Sequence, residues 1–324
     1  MLHYTSNIRS LEDIIFDKFN VVEHDEFIAL SAYLGVSPIR RLEGLNCSSK
    51  VIFGLASEGV NMLLHNKLTS VEENVNIYVP TIPSHAKIYA WKLKGEIKCL
   101  LNGSSNFSHR GLNTPFREVL EEVHFNSFPE YSNYLNQILS SSVLYAQYRD
   151  PIDYSMDLTD SARGEYATKC ESASIYGAGS KINWGHAANG NVNKRDSYIS
   201  ITSPMINDYP DLFPEKAPLR GLGYNDNEPI EIIWDDGEEM LCLLEGTVRK
   251  NIVNPITGLI EEKRFPNKIA SYPSKRILGD YLRSRLDVSP GVFVTEQMLN
   301  EYGRNSITIS KKGDVYFLDF SRKT

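Results

Sequence analysis

Residues 84–123 read SHAKIYAWKLKGEIKCLLNGSSNFSHRGLNTPFREVLEEV. Two apolar-rich runs, AKIYAWKLKG and EIKCLLNG, meet near Gly95, a pattern that predicts a β-hairpin turning there. In an extended strand residues two apart face the same side, so His85 and Lys87 project together. The returning strand carries Gly103-Ser104-Ser105-Asn106 up beside them, and Glu118 follows a dozen residues on. The cluster joins a candidate nucleophile to donors suited to phosphate oxygens, with no evident set of metal ligands. Such a pattern points to phosphodiester chemistry.

A phosphodiester resists attack because its oxygens are negatively charged. Without a metal, an enzyme needs a neutral nucleophile, donors on the non-bridging oxygens and an acid for the leaving oxygen. His85 fits the first role. Lys87, Asn106 and the Ser104 hydroxyl fit the second. Glu118 is expected to accept a hydrogen bond from the second ring nitrogen of His85 and so fix its tautomer. His65 lies in an amphipathic pattern, His109 follows the turn and His124 ends REVLEEVHF; each reads as structural or solvent-facing.

Working outward, the first half alternates strand and helix patterns. LEDIIFDKF, SPIRRLEGL (Ser37 as cap) and VNMLLHNKL predict helices; EFIALSAYLG, SKVIFGLA and NVNIYVPT predict buried strands. Residues 129–147 are expected to form one closing helix. This is an α/β pattern, a sheet covered by helices. From about 151 to 180 the chain turns polar and rich in Ser, Gly and Ala, as a linker would. Beyond it SYISIT, PIEIIWDD, EMLCLLEGTV, GVFVT, SITISKKG and VYFLDF predict short strands, with helices at RILGDYLRSRL and TEQMLNEYG. That half reads as an open β-barrel. The expected boundaries are 1–150, a linker at 151–180, and 181–324.

The 324 residues carry a net charge of −7, which disfavours unspecific binding to polyanions. The acidic surplus lies mostly in the first half, leaving the second nearly balanced. Cys47, Cys99, Cys170 and Cys242 form no CxxC pair, so idle thiols in a reducing cytoplasm are expected rather than disulfides or zinc. No apolar run reaches the ~20 residues of a membrane span, and the N-terminus lacks the pattern of a signal peptide.

The motifs resemble those of the phospholipase D superfamily, whose signature is HxK, an aspartate, GSxN and a downstream glutamate. His85-Ala86-Lys87 matches the first and Gly103-Ser104-Ser105-Asn106 the third. Glu118 stands where the glutamate is expected, with Glu121 as fallback. Lys92 stands where the aspartate usually does, a departure shared with metal-independent restriction endonucleases. The resemblance implies a covalent phosphohistidine on His85 and needs two histidines. One copy of the motif then implies a homodimer with a composite site on its two-fold axis.

The second half resembles the B-three-like pseudobarrel that recognises double-stranded DNA in phospholipase D-like restriction endonucleases of the BfiI and NgoFVII kind. The strand order, RILGDYLRSRLDV, YGRNSITI and VYFLDF carry that resemblance. In such domains two arms grip DNA. Here they map to Asn191, Asn193, Lys194 and Arg195 in a long polar loop, and to Lys263, Arg264, Lys268, Lys275 and Arg276 in a turn-rich stretch. Arg and Lys read guanine, Asn reads adenine, and all of them hold phosphates. Trp184 and Trp234 read as core. The resemblance also admits a separate ATP-dependent helicase-like subunit and a cognate methyltransferase as partners, with no membrane and no cofactor. Two rival readings stand beside it: a phospholipase D-like phosphodiesterase acting on RNA or lipid, and a DNA-binding regulator that does not cleave.

Overall fold

Every side chain from 27 to 31 is buried, because this strand lies inside a sheet covered on both faces. The computed structural model describes residues 1–71, 73–148, 152–153, 171–174, 193–216, 227–254 and 256–322. Most of the linker expected at 151–180 falls outside them. The chain forms two compact units, one built on Met1–Asp157, the other on Leu158–Lys312 and Tyr316–Thr324.

The first unit contains strands β1 (Leu2–Tyr4), β2 (Glu26–Ser31), β3 (Ser48–Phe53), β4 (Val75–Pro80), β5 (Ile88–Leu93), β6 (Glu96–Gly103), β7 (Val119–Glu122) and β8 (Ser142–Leu144). Its helices are α1 (Leu11–Val21), α2 (Val36–Glu43), α3 (Met62–Leu68), α4 (His109–Asn113) and α5 (Phe128–Ser140). The eight strands form one mixed sheet in the order β1-β7-β6-β5-β2-β3-β4-β8. Strands β2, β3 and β4 run parallel and are joined through α2 and α3, whereas β5 returns antiparallel to β2. The expected hairpin is present: Leu93 pairs with Glu96 across a two-residue turn, with Lys94 at φ 51° and Gly95 at φ 83°. Two positive φ values match the right-handed twist of the flanking strands.

One face of the sheet packs an aromatic cluster, Phe19, Phe27, Trp91, Tyr89 and Phe107, with centroids 4.9–6.4 Å apart. The other face buries Ile28, Leu30, Ile52, Ile88, Ala90 and Leu100 with Leu135 of α5. Helix α1 opens with a capping box, Ser10 accepting from Asp13 N at 3.0 Å. Helix α2 is capped by Gly35 rather than Ser37, and the Gly35 N–H donates to Phe107 O at 2.9 Å. The helix expected over 129–147 stops at Ser140. The hydroxyls of Ser140, Ser141 and Ser142 return to the carbonyls of Gln137 and Ile138, and residues 142–144 become an edge strand paired with β4.

The second unit contains strands β9 (Glu171–Ser174), β10 (Ile199–Ser200), β11 (Glu228–Trp234), β12 (Glu239–Glu245), β13 (Val248–Val253), β14 (Ile260–Phe265), β15 (Lys268–Ser271), β16 (Ser306–Lys312) and β17 (Val315–Asp319). Helices α6 (Ser203–Asp208), α7 (Lys275–Arg285) and α8 (Glu296–Tyr302) accompany them. Seven strands make one sheet, ordered β9-β16-β17-β11-β12-β15-β10, while among the described residues β13 and β14 pair only with each other. The core gathers Ile230, Ile232, Cys242, Ile269, Ile307 and Tyr316 from the sheet with Leu278 and Leu282 from α7. Trp234 is fully buried, as expected, its ring 4.7 Å from Tyr281; Trp184 lies outside the described residues. The strand expected at GVFVT does not form, because the Val292 carbonyl accepts from Arg283 Nε at 2.9 Å.

Phe107 ties the polar turn after β6 to the aromatic face. Phe107→Ala should therefore lower stability by about 3–5 kcal/mol, measured by urea unfolding; a loss under ~1 kcal/mol would mean the turn is not anchored through this ring.

Candidate active site and DNA-facing residues

Residues 103–108, Gly-Ser-Ser-Asn-Phe-Ser, leave β6 and are held by buried polar contacts. Tyr89 Oη donates to Ser105 O at 2.7 Å, and Phe107 N–H donates to Ser31 Oγ at 2.9 Å. Ser108 N–H donates to Asn106 O, and Ser108 Oγ caps α4 by accepting from Gly111 N–H at 3.1 Å. Gly103 allows β7 to come close: a Cβ there would lie 2.1 Å from Val119 O. Ser104 then bonds Val119 twice, its N–H donating to Val119 O at 3.0 Å and its Oγ accepting from Val119 N–H at 3.1 Å.

His85 precedes β5 and is exposed, while Lys87 is buried. Backbone bonds hold both in place, Ser84 N–H to Gly54 O at 2.9 Å and Gly103 N–H to Lys87 O at 3.2 Å. The Lys87 ammonium lies 2.9 Å from Nδ1 and 3.2 Å from Nε2 of His85, and donates to the His85 carbonyl at 2.7 Å. Burial lowers the pKa of Lys87 against the opposing charge of Glu118. Burial likewise raises the carboxyl of Glu118 above its ordinary value, opposed by a hydrogen bond from Ser104 and by Arg117. His85 and Lys87 are in direct contact, and Glu118 interacts electrostatically with both Lys87 and Ser104. Among the described residues the His85 ring meets Lys87, and Ser104, Arg117 and Lys87 act electrostatically on Glu118. Asn106 sits in the same turn, with no hydrogen bond to the other four.

Lys92 is buried on β5, 3.8 Å from Glu26 Oε2. His65, His109 and His124 have partners of their own. His65 Nδ1 meets Tyr145 Oη at 3.0 Å, His109 Nδ1 meets Asn113 at 3.2 Å, and His124 caps the turn that follows it.

In the second unit Asn191 lies outside the described residues. Asn193, Lys194 and Arg195 are exposed, and Arg195 is ion-paired with Asp280 of α7. Lys263 and Arg264 lie on strand β14 rather than in a turn, Lys268 opens β15, and Lys275 and Arg276 open α7. Pairing explains the strand placement: Lys250 stands opposite Lys263, and Arg249 opposite Arg264. Lys263 meets Glu215 at 2.9 Å; Lys268 and Lys275 both reach Glu245, at 3.4 and 3.1 Å.

Sequence reading passed over Arg283. Its guanidinium is fully buried and donates to four backbone carbonyls: Lys194, Arg195, Gly279 and Val292, at 2.9–3.0 Å. Gly279 makes the approach feasible, since a Cβ there would lie 1.9 Å from Arg195 O. The residue that anchors the Lys194–Arg195 backbone is therefore almost ninety positions away in the chain, and no local signal marks it.

Two family models match consecutive parts of the chain. Residues 9–150 match the NgoFVII restriction endonuclease N-terminal PLD domain, and residues 153–313 the NgoFVII C-terminal B3-like DNA-binding domain. The architecture is therefore a phospholipase D-like α/β domain followed by a mainly β pseudobarrel. This chain belongs to the NgoFVII restriction endonuclease family. Among solved structures it is similar to NucT from Helicobacter pylori (12% identity, 41% of this chain and 90% of that one, TM-score 0.33). It is also similar to Nuc, a phospholipase D family member from Salmonella typhimurium (10%, 46% and 98%, 0.30). A polyphosphate kinase from Porphyromonas gingivalis matches over 45% of this chain and 23% of its own (12%, 0.31). No curated protein matches the chain.

Two outcomes test this geometry. Because the folded state holds the Glu118 proton more tightly than the unfolded chain, that stabilisation is present at low pH and is lost as pH rises through the folded pKa. Wild type should therefore lose stability relative to Glu118→Gln as pH rises from about 4 to about 7, by urea unfolding; parallel profiles would show that burial does not raise this carboxyl. Arg283→Lys, which cannot reach four carbonyls, should cost about 2–4 kcal/mol by the same measurement.

Proposed function

We propose that this protein is a site-specific DNA endonuclease that hydrolyses phosphodiester bonds through His85 without a metal ion. The group of His85, Lys87, Ser104 and Glu118 on a backbone-pinned turn carries the reading. The family match supports a phosphodiesterase of DNA, with a nuclease domain joined to a DNA-binding domain.

In the proposed reaction His85 of one subunit attacks phosphorus, forming an N–P bond as the bond to the leaving oxygen breaks. That oxygen takes a proton from His85 of the partner subunit. The partner's His85 then removes a proton from water, whose oxygen attacks phosphorus and releases the first histidine. Lys87, Ser104 and Asn106 hold the non-bridging oxygens, and Lys87 carries a charge that balances the developing negative one. Glu118 fixes Ser104 and opposes the desolvation of Lys87. Two copies of the chain are needed, because each supplies one histidine.

Asn191, Asn193, Lys194, Arg195, Lys263, Arg264, Lys268, Lys275 and Arg276 are the proposed DNA contacts. Arg195, Lys263, Lys268 and Lys275 are ion-paired here, so each would exchange a carboxylate for a phosphate. A helicase-like subunit and a methyltransferase are compatible with this reading, in the cytoplasm.

The deciding experiment is plasmid cleavage in excess EDTA. Wild type should give discrete fragments, and His85→Ala should lose at least about 10³-fold in rate while binding the same DNA. Cleavage only with added divalent metal would overturn metal independence. Equal cleavage by the variant would overturn the role of His85.

A further inference from the structure

The ribbon β13–β14 is an excursion from the second unit's sheet. The chain leaves β12 at Glu245 and re-enters at Lys268, residues that pair directly across β12 and β15. Between them the ribbon concentrates positive charge against its own stability. Arg249 lies opposite Arg264, and Lys250 opposite Lys263, at successive positions of the ladder. Like charges set directly across a ladder destabilise it. Glu262 meets Arg249 at 3.1 Å, Glu215 meets Lys263 at 2.9 Å, and Lys250 donates to Ser203 O at 2.8 Å and Asn207 Oδ1 at 2.6 Å. The ribbon's own four cations, Arg249, Lys250, Lys263 and Arg264, outnumber its two carboxylates, Glu261 and Glu262, in a chain of net charge −7.

The far end of the ribbon has the opposite character. Val253, Ile256, Leu259 and Ile260 are 59%, 93%, 67% and 71% exposed. The turn that presents them is ordered by Asn254. Its Oδ1 accepts from Ile256 N–H (2.9 Å) and Thr257 N–H (3.2 Å), and its backbone exchanges bonds with Gly258 and Leu259 at 2.8 Å. Arg249, Arg264, Val253 and Ile260 share one face, since the first two and the last two are cross-strand pairs four positions apart.

We propose that this ribbon is a DNA wedge: its basic stem holds phosphates and its aliphatic end enters the base stack and unstacks one step. A cationic stem and an apolar tip correspond to the two parts of a duplex, charged outside and apolar between the base pairs. The dimensions agree. Four residues of strand span about 14 Å from the arginine pair to the Val253–Ile260 pair, more than the roughly 8 Å depth of either groove. Arginines at the backbone thus leave the tip at the base pairs. The inference rests on the DNA-binding reading and adds that bound DNA is deformed.

The test uses the full-length His85→Ala chain and a duplex pool randomised over about one and a half to two helical turns. Enriched duplexes are remade with 2-aminopurine at each adenine, and thymines are probed with permanganate. The expected result is a several-fold rise in fluorescence, or new permanganate reactivity, at one step. Ile256→Ser/Leu259→Ser should abolish that signal while weakening affinity by about tenfold or less. Arg249→Ala should instead weaken affinity and lower the salt slope by about one, with the signal kept at saturation. A bound duplex with no unstacked step, or a tip variant that retains the signal, overturns the wedge and leaves DNA binding standing. Failure to enrich any duplex overturns the DNA-binding reading and the wedge with it. A tip variant that changes only the mass in sedimentation assigns the tip to self-association, which also overturns the wedge.

Discussion

The first unit depends on one requirement: a polar turn must be held against an aromatic core without leaving its backbone groups unpaired. Burying an unsatisfied amide or carbonyl costs as much as a lost hydrogen bond. Tyr89 and Ser31 satisfy the turn from below, and Val119 satisfies it from the side. Those contacts need Gly103, whose missing side chain lets β7 approach. Once the turn is fixed, Ser104 is held to Val119, the neighbour of Glu118. The proposed catalytic group is therefore a by-product of how the end of β6 solves its hydrogen bonding.

Charge is handled differently in the two units. In the first, a few buried ionisable groups are moved from their ordinary values by desolvation, Lys87 and Glu118 among them. In the second, Lys268 and Lys275 lie near the surface and are held by Glu245, a carboxylate that a polyanion could displace. The first arrangement suits chemistry on a bound group; the second suits reversible contact with a phosphate backbone.

The site and hairpin were legible because their signals are local. HxK, GSSN and the Lys94–Gly95 turn each occupy a few adjacent residues, and strand period does the rest. The β-rich second half was also legible from its short apolar runs. What failed depended mostly on distant partners; the end of the helix at Ser140 also depended on three serines close by. Residues 129–147 carry a helical pattern, and only the three serines and the edge of β4 end it. GVFVT looks like a strand until Arg283 takes its carbonyl. Lys263 and Arg264 read as turn residues because nothing nearby shows Arg249 and Lys250 across the ladder. Asn191 and the linker remain expectations, outside the described residues.

Arg283 holds the main-chain oxygens of Lys194, Arg195, Gly279 and Val292. It fixes where residues 194 and 195 lie without regard to which side chains they carry, and Gly279 is the one position whose identity the contact demands. Support and reading are thus assigned to different atoms of the same segment. Side chains at 194 and 195 are open to exchange at no cost to the anchor, so a new preference for DNA sequence could arise there on an unchanged scaffold.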